Sequence, residues 1–360
     1  MQVERPWGAT TVRRGKAIAC IALAAIAAVG LASSDAGIVF EENVGLATLF
    51  AVRGERAAPP GAVVLTPDHR SRRWLAGLPD DFAAWPGPLR RCLGDAATAR
   101  AVRAAALDPV PPRQLYACAI DRLAELGAAA IVFDVAFNAT TSADARLRAS
   151  LERHGDRVVL LQYLESGGGW RRLVPLAPGL TGRAQTAPFV LPRVGPRVHQ
   201  YWLRLDGLAG DVGPRATLPL VAFRLAPGGA DPAAGAAPPA YRYFNHYGRA
   251  GTVPTLPLAV LFADTLVDPS GRTQRVDMRD ITVFVGAADP GVAVQQDRFA
   301  TAFGAGGDVP GVELAATAYL NLRHGDVLDA LTYAERGLLV GLFTAASLAL
   351  ALLVGGLKGI

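Results

Sequence analysis

Tyr116–Phe137 reads YACAIDRLAELGAAAIVFDVAF, and this stretch decides the fold. Leu115, Ala119, Leu123 and Leu126 recur at helical spacing and make one apolar face, which predicts a helix over 114–126. Gly127 ends it as a C-cap, since glycine takes the left-handed conformation without a Cβ penalty. Ala129–Val135, AAIVFDV, is then an almost wholly apolar run of strand length. Ser142 and Asp144 are candidate N-caps for a helix running to Arg153, closed by His154-Gly155-Asp156. Arg157–Leu164, RVVLLQYL, reads as another buried strand, as does Ala62–Thr66, AVVLT, upstream. Alternation of strand and helix implies parallel pairing through right-handed crossovers. Strands that are apolar throughout fit a sheet covered on both faces. The predicted class is therefore α/β: a mixed, largely parallel sheet with helices on both faces.

Weaker signals fill in the rest. Ala96–Ala106 looks helical, and Val198–Leu203 is strand-like. Tyr241–Asn245, YRYFN, alternates like a half-buried edge strand, and Leu256–Ala263 reads as a short helix. Asp280–Gly286, DITVFVG, is strongly apolar and reads as a strand. Val312–Leu322 is an amphipathic helix opened by Pro310-Gly311. Gly167-Gly168-Gly169 is a loop tip without a phosphate-binding context, and Gly228–Pro239 is a low-complexity insertion.

The ends of the chain place this domain. Ala17–Ala32 is apolar throughout and follows Arg13, Arg14 and Lys16, while Gly337–Leu357 carries no charge and precedes Lys358. About 20 helical residues cross a hydrocarbon layer roughly 30 Å thick. The first run suits an uncleaved anchor or a cleaved secretory signal, and either one exports the middle of the chain. Basic flanks stay inside. The expected layout is a cytoplasmic start at 1–16, a transmembrane helix at 17–34 and a periplasmic domain at 35–330. A juxtamembrane helix at 331–336, a transmembrane helix at 337–357 and a cytoplasmic end at 358–360 follow. Asp326–Arg336 is expected to continue as helix into the last span, a near-rigid rod. The net charge of +5 is spread and mixed with acids, so no nucleic-acid surface is expected.

Of the three cysteines, Cys20 lies in the first apolar run. Cys92 and Cys118 lie in the exported part, where thiols oxidise. They are a candidate disulfide closing a loop of about 25 residues, for about 3 kcal/mol of chain-entropy stabilisation. The alternative is two separate buried thiols. The histidines at 69, 154, 199, 246 and 324 are scattered, and no Cys/His cluster is present. No metal and no cofactor are expected.

These elements, in this order, resemble the second CHASE family of extracytoplasmic sensor domains. The likeness is carried by Ala62–Arg70 (AVVLTPDHR), Trp85-Pro86, Tyr116–Phe137 and Asp144–Leu147 (DARL). It continues through Asn245-His246-Tyr247-Gly248, Gly251–Thr255, Ile281–Ala287, Asp297 and Pro310–Leu314. It covers roughly residues 40–330. The resemblance implies a bacterial membrane receptor upstream of a nucleotide or diguanylate cyclase, a histidine kinase or a serine/threonine kinase. Two departures stand out. The family's first strand often ends in two acids, where Thr66-Pro67 here precede a single Asp68, and residues 89–112 look inserted. Family members usually continue into a cytoplasmic output domain, whereas this sequence stops at Ile360, so the output is expected on another subunit or on further chain.

In open parallel sheets, ligands bind outside the carboxyl ends of strands. That rule selects Asp68, Asp134, Asn138 and Asp289 as ligand-binding candidates, against the plainer reading of acids capping nearby amides. Asn245 and Asp297 read as loop-fixing residues. No catalytic residues are expected, because nothing resembles a nucleophile elbow. Gly337 and Gly341 form a GxxxG pair suited to close helix packing, and so to a homodimer or a partner signalling subunit. The leading expectation is a sensor in the bacterial inner membrane that binds a small ligand or periplasmic protein. A non-switching periplasmic scaffold is the first alternative and a periplasmic hydrolase the second.

Overall fold

The computed structural model describes residues 7–108, 110–167, 170–192, 197–208, 213–229, 240–263, 265–267, 273–289, 297–326, 328 and 331–357. The chain forms two compact units, residues 50–328 and residues 1–49 with 329–360. Expected features at 1–6, 168–169, 230–239 and Lys358 lie outside the described residues.

The larger unit is built on six strands: β1 (Ala62–Thr66), β2 (Ala130–Asp134), β3 (Val158–Leu161), β4 (Gln185–Ala187), β5 (Thr255–Pro257) and β6 (Thr282–Gly286). Their order is β5-β1-β6-β2-β3-β4, and every pairing is parallel. Successive side chains on a strand point to opposite faces. Val63, Leu65, Ile131, Phe133, Val158, Leu160, Val283 and Val285 thus enter one core, and Val64, Val132, Val159 and Phe284 the other. All of these are essentially buried, which is why the strands read as continuous apolar runs.

The first core is roofed by α4 (His69–Ala76), α5 (Gly87–Leu93), α6 (Ala96–Ala104), α7 (Arg113–Glu125) and α8 (Asp144–His154). The second is roofed by α9 (Leu218–Leu225) and α10 (Gly311–Arg323). Helix α7 ends at Gly127, where φ is +81°. The Gly127 N–H donates to Ala124 O at 3.1 Å and the Ala128 N–H to Leu123 O at 3.0 Å, a Schellman cap. Within the inserted-looking segment, α5 is joined to α7 by a Cys92–Cys118 disulfide with Cα atoms 5.5 Å apart.

Several local expectations are corrected. Residues 256–263 open as edge strand β5 and continue as a 3-10 turn over Leu258–Phe262, because β1 offers a free edge to Thr255–Pro257. Tyr241–Tyr243 pairs antiparallel with Gln200–Trp202, away from the main sheet. The run 157–164 breaks after Leu161, and Leu164–Gly167 forms a hairpin with Trp170–Leu173. Ala143, not Ser142 or Asp144, is the N-cap of α8. The Asp144 carboxylate instead accepts from Thr141 Oγ1 at 2.8 Å and pairs with buried Arg113. The continuous rod is also corrected. Helix α10 stops at Arg323, because Gly325 (φ +61°) donates to Leu322 O and Asp326 N–H to Asn321 O, a second Schellman cap.

The smaller unit contains α1 (Trp7–Ala32), α2 (Asp35–Phe40), a π-helical turn at Glu41–Leu46 and α11 (Tyr333–Leu357); α3 (Ala47–Arg53) runs across the boundary between the units. Thr332 and Glu335 form a capping box at the start of α11. Among the described residues, Tyr333–Ala351 is long and apolar enough to cross a membrane. A second crossing requires Ala19–Ala32 and Asp35–Arg53, bent by 73°, to act as one broken span, so the N-terminal run is the weaker of the two. A Cβ on Gly337 or Gly341 would lie 3.5 or 3.7 Å from Val29 of α1. The GxxxG pair therefore packs against Val29 of α1 in the same chain.

Glu313 of α10 anchors this architecture. It is 3% exposed, and its carboxylate accepts the amide of Gly251 at 2.9 Å and that of Val253 at 3.2 Å, just before β5. Burial pushes this carboxyl above the usual range even though the amides oppose the shift. Glu313→Ala leaves those buried amides unpaired and is expected to cost about 2 kcal/mol, read from urea denaturation followed by tryptophan fluorescence. Glu313→Gln, which keeps a carbonyl acceptor, is expected to lose less than half of that.

Candidate functional site

The carboxyl edge of the sheet is where helices part company. After β2 the chain passes to α8 on the first face, and after β6 it passes to α10 on the second. The ends of β2 and β6 are adjacent, with Gly286 in register with Asp134. A crevice between neighbouring strands whose connections leave to opposite faces is the ligand-binding position of open α/β sheets.

Asp134 ends β2 at this switch point, beside the end of β6. A Cβ on Gly286 would meet Asp134 Cβ at 3.1 Å and Val312 Cβ at 2.9 Å, so glycine is what lets β2, β6 and the start of α10 close up. Asp297, expected as a loop-fixing residue, reaches the same place. Its carbonyl accepts the Gly311 N–H at 3.0 Å, and its carboxylate lies where a Cβ on Gly311 would sit, 2.0 Å from Oδ2. Asp297 thus stands on the first turn of α10, where a helix favours negative charge. Burial, reinforced by the Asp297 carboxylate, pushes Asp134 up to about 8. Tyr163, two residues beyond β3 and 48% exposed, completes the group. Its phenol is pushed up by burial and by both acids. The site therefore gathers two carboxyl groups and a phenol, with the Asp134 carboxyl holding its proton more tightly than an ordinary aspartate. A cationic group docking there would favour ionisation of Asp134 and release its proton.

The other expected residues serve differently. Asp68 is the N-cap of α4, its Oδ1 accepting from Ser71 N and Oγ, both at 2.8 Å. Asp289 accepts the His69 N–H at 2.8 Å and stands 3.6 Å from Arg72, tying the segment after β6 to the same helix. The plainer capping geometry is what both acids display. Asn138 is exposed and lines a different groove, of about 480 Å³, with Arg113, Thr141 and Ser142. Tyr163 was missed because its strand reads as running past it; counting outward from the end of β3 would have found it.

Asn245 sits at the opposite end of α10. Arg323 there lies against Gly61, at the start of β1. The Asn245 amide donates to Asp326 at 2.7 Å, its Oδ1 accepts from Arg53, and its backbone N–H donates to Asn321 Oδ1 at 3.0 Å. Arg56 also pairs with Asp326. This network ties the segment by which the chain enters the 50–328 unit to the one by which it leaves, roughly 20 Å along α10 from the acid pair. Beside it, burial pushes His199 down to about 4 and His246, stacked on Phe244, down to about 3.

Two opposing pH dependences follow. The native state holds Asp134 protonated up to about 8, while the unfolded chain releases that proton near pH ~4, so stability falls as pH rises through this window. The histidines are protonated in the unfolded chain near pH ~6.5 but stay neutral when folded, so stability also falls as pH drops below that value. Asp134→Asn is expected to flatten the upper limb and raise the melting temperature at pH 8–9 by ~2–4 °C for each kcal/mol recovered. His246→Gln is expected to flatten the lower limb. Melting curves that superpose on those of the unaltered chain across pH 4–9 would show that neither group carries the linkage.

The chain matches the family model of the CHASE2 domain over residues 95–357, which takes in α6 to α11 and β2 to β6. No characterised protein and no solved structure matches it. The matched family is one of extracytoplasmic sensor domains, sensory and not catalytic. Since the match spans most of its length, including β2 and β6, whose ends adjoin the acid pair, this chain belongs to the CHASE2 domain family.

Proposed function

We propose that this chain is a membrane-anchored receptor whose periplasmic α/β domain detects a small polar ligand at Asp134, Asp297 and Tyr163 and relays the event across the bacterial inner membrane. The observation that carries this reading is the meeting of two acids from distant segments by the first turn of α10, at the adjacent ends of β2 and β6. A ligand shifts a conformational equilibrium only through its differential affinity for the two states, with about 1–3 kcal/mol typical. Helix α10 is suited to the relay. One end contacts the acid pair through Gly311 and Val312, and the other is held by Asn321 and Asp326 to the segments that enter and leave the domain.

In this reading Arg13, Arg14 and Lys16 keep the N-terminus in the cytoplasm. The output is a cyclase- or kinase-type activity reached through a homodimer or a partner signalling subunit. A thermal-shift screen of the whole chain in detergent, with amino acids, small amines and sugars as probes, is expected to find a stabilising compound. Asp134→Asn and Asp297→Asn are expected to abolish its shift, while Asn138→Ala leaves it unchanged. A shift that survives in both acid variants would place recognition elsewhere.

A further inference from the structure

We infer that the Cys92–Cys118 disulfide is a thiol-exchange site, opened by a small anionic thiol and held ready for reduction by Arg146. The bridge does not lie sealed in the core. It lines a surface groove of about 270 Å³ together with Arg91, Arg122, Arg146 and Arg153. Two of these arginines are neutralised, Arg122 by Glu125 at 3.0 Å and Arg153 by Asp121 at 2.8 Å. Arg91 and Arg146 form no ion pair among the described residues, and although the Asp95 carboxylate is within electrostatic reach of Arg146, the arginines outnumber the acids and the groove is electropositive. Arg146 Nη2 lies 3.2 Å from Cys92 Sγ, and its Nε is buried without a hydrogen-bond partner among the described residues. A guanidinium gains little from a neutral disulfide sulfur and much from a thiolate. A neighbouring cation therefore favours the reduced state of the pair.

The exchange balances in two steps. An incoming thiolate attacks Cys92 Sγ, the more accessible sulfur, since Cys118 is only 1% exposed. The S–S bond breaks, Cys118 Sγ leaves with the electron pair, and it takes a proton. A second thiolate then attacks the outer sulfur of the mixed disulfide and releases Cys92 as a thiolate beside Arg146. Two thiols are oxidised to one small-molecule disulfide, the protein bridge takes up two electrons, and one proton is released to solvent. The fold outlasts the step, because Leu89 and Leu93 keep α5 buried on the core without the bridge. What is lost is the covalent tie on α7, whose Tyr116 packs edge-on against Phe133 and Phe137 at 5.8 and 5.6 Å, the aromatic pair bracketing Asp134.

The test equilibrates the whole chain in detergent with reduced and oxidised glutathione at pH 7, traps free thiols with a maleimide and counts them by mass spectrometry. Circular dichroism is followed throughout. The native chain is expected to open its bridge while folded. Arg146→Gln is expected to move the reduced-to-oxidised ratio at least tenfold toward the disulfide, about 30 mV for a two-electron couple. Arg146→Lys is expected to recover most of that change. In the unaltered chain, raising salt from about 20 to about 500 mM is expected to slow glutathione attack severalfold, through screening of the groove. A bridge that opens only when circular dichroism shows the domain unfolded would overturn the inference. So would a ratio within twofold of the unaltered chain in Arg146→Gln, or a rate indifferent to salt.

Discussion

The strand Thr282–Gly286 enters the sheet last and lies between two strands made far earlier in the chain. Its insertion between β1 and β2 completes both cores at once, with Val283 and Val285 turned to one and Phe284 to the other. Before it arrives, β1 and β2 have no common neighbour, and each leaves a row of backbone amides and carbonyls without partners. Burying such groups unpaired is costly, so the sheet is complete only when residues more than 200 apart in sequence have met. Residues 50–328 therefore behave as one piece despite their many hairpins and turns.

The same insertion creates the candidate site. Gly286 ends β6 in register with Asp134, and having no side chain it admits both Asp134 and Val312. Gly311 plays the matching part beneath Asp297. Two glycines thus let two carboxyl groups share a poorly hydrated corner at the start of a buried helix. Asp134 responds by holding its proton. A site whose charge state is set by packing is sensitive to whatever enters it, because a new partner alters the same balance that keeps the proton in place.

Helix α10 gives that corner a mechanical context. It is buried along almost its whole length, and its far end meets the Asn245, Arg53, Arg56 and Asp326 network. The turn at Gly325 ends α10, and α11 begins separately at Tyr333, so the two are not one continuous helix. The disulfide lies on the other face of the sheet, on α7, and touches the same corner through Tyr116 and its aromatic neighbours.

The amino-acid sequence by itself determined the elements whose causes are local. The apolar period of 114–126, Gly127 as its cap, and the uninterrupted strands at 130–134 and 282–286 were legible because each depends on residues a few positions apart. So was the rule that acids at strand ends deserve inspection, which singled out Asp134. Sequence alone could not order the strands, choose β6 as the centre, or give residues 255–257 an edge to pair with, since those outcomes depend on which distant surfaces are buried together. It separated Asp297 from Asp134, because only tertiary packing brings a residue so far along the chain onto the end of an early strand. It left Asp68 and Asp289 as ligand candidates for the same reason. An acid at a strand end is chemically ready either to bind or to cap, and the nearest amide in space decides which.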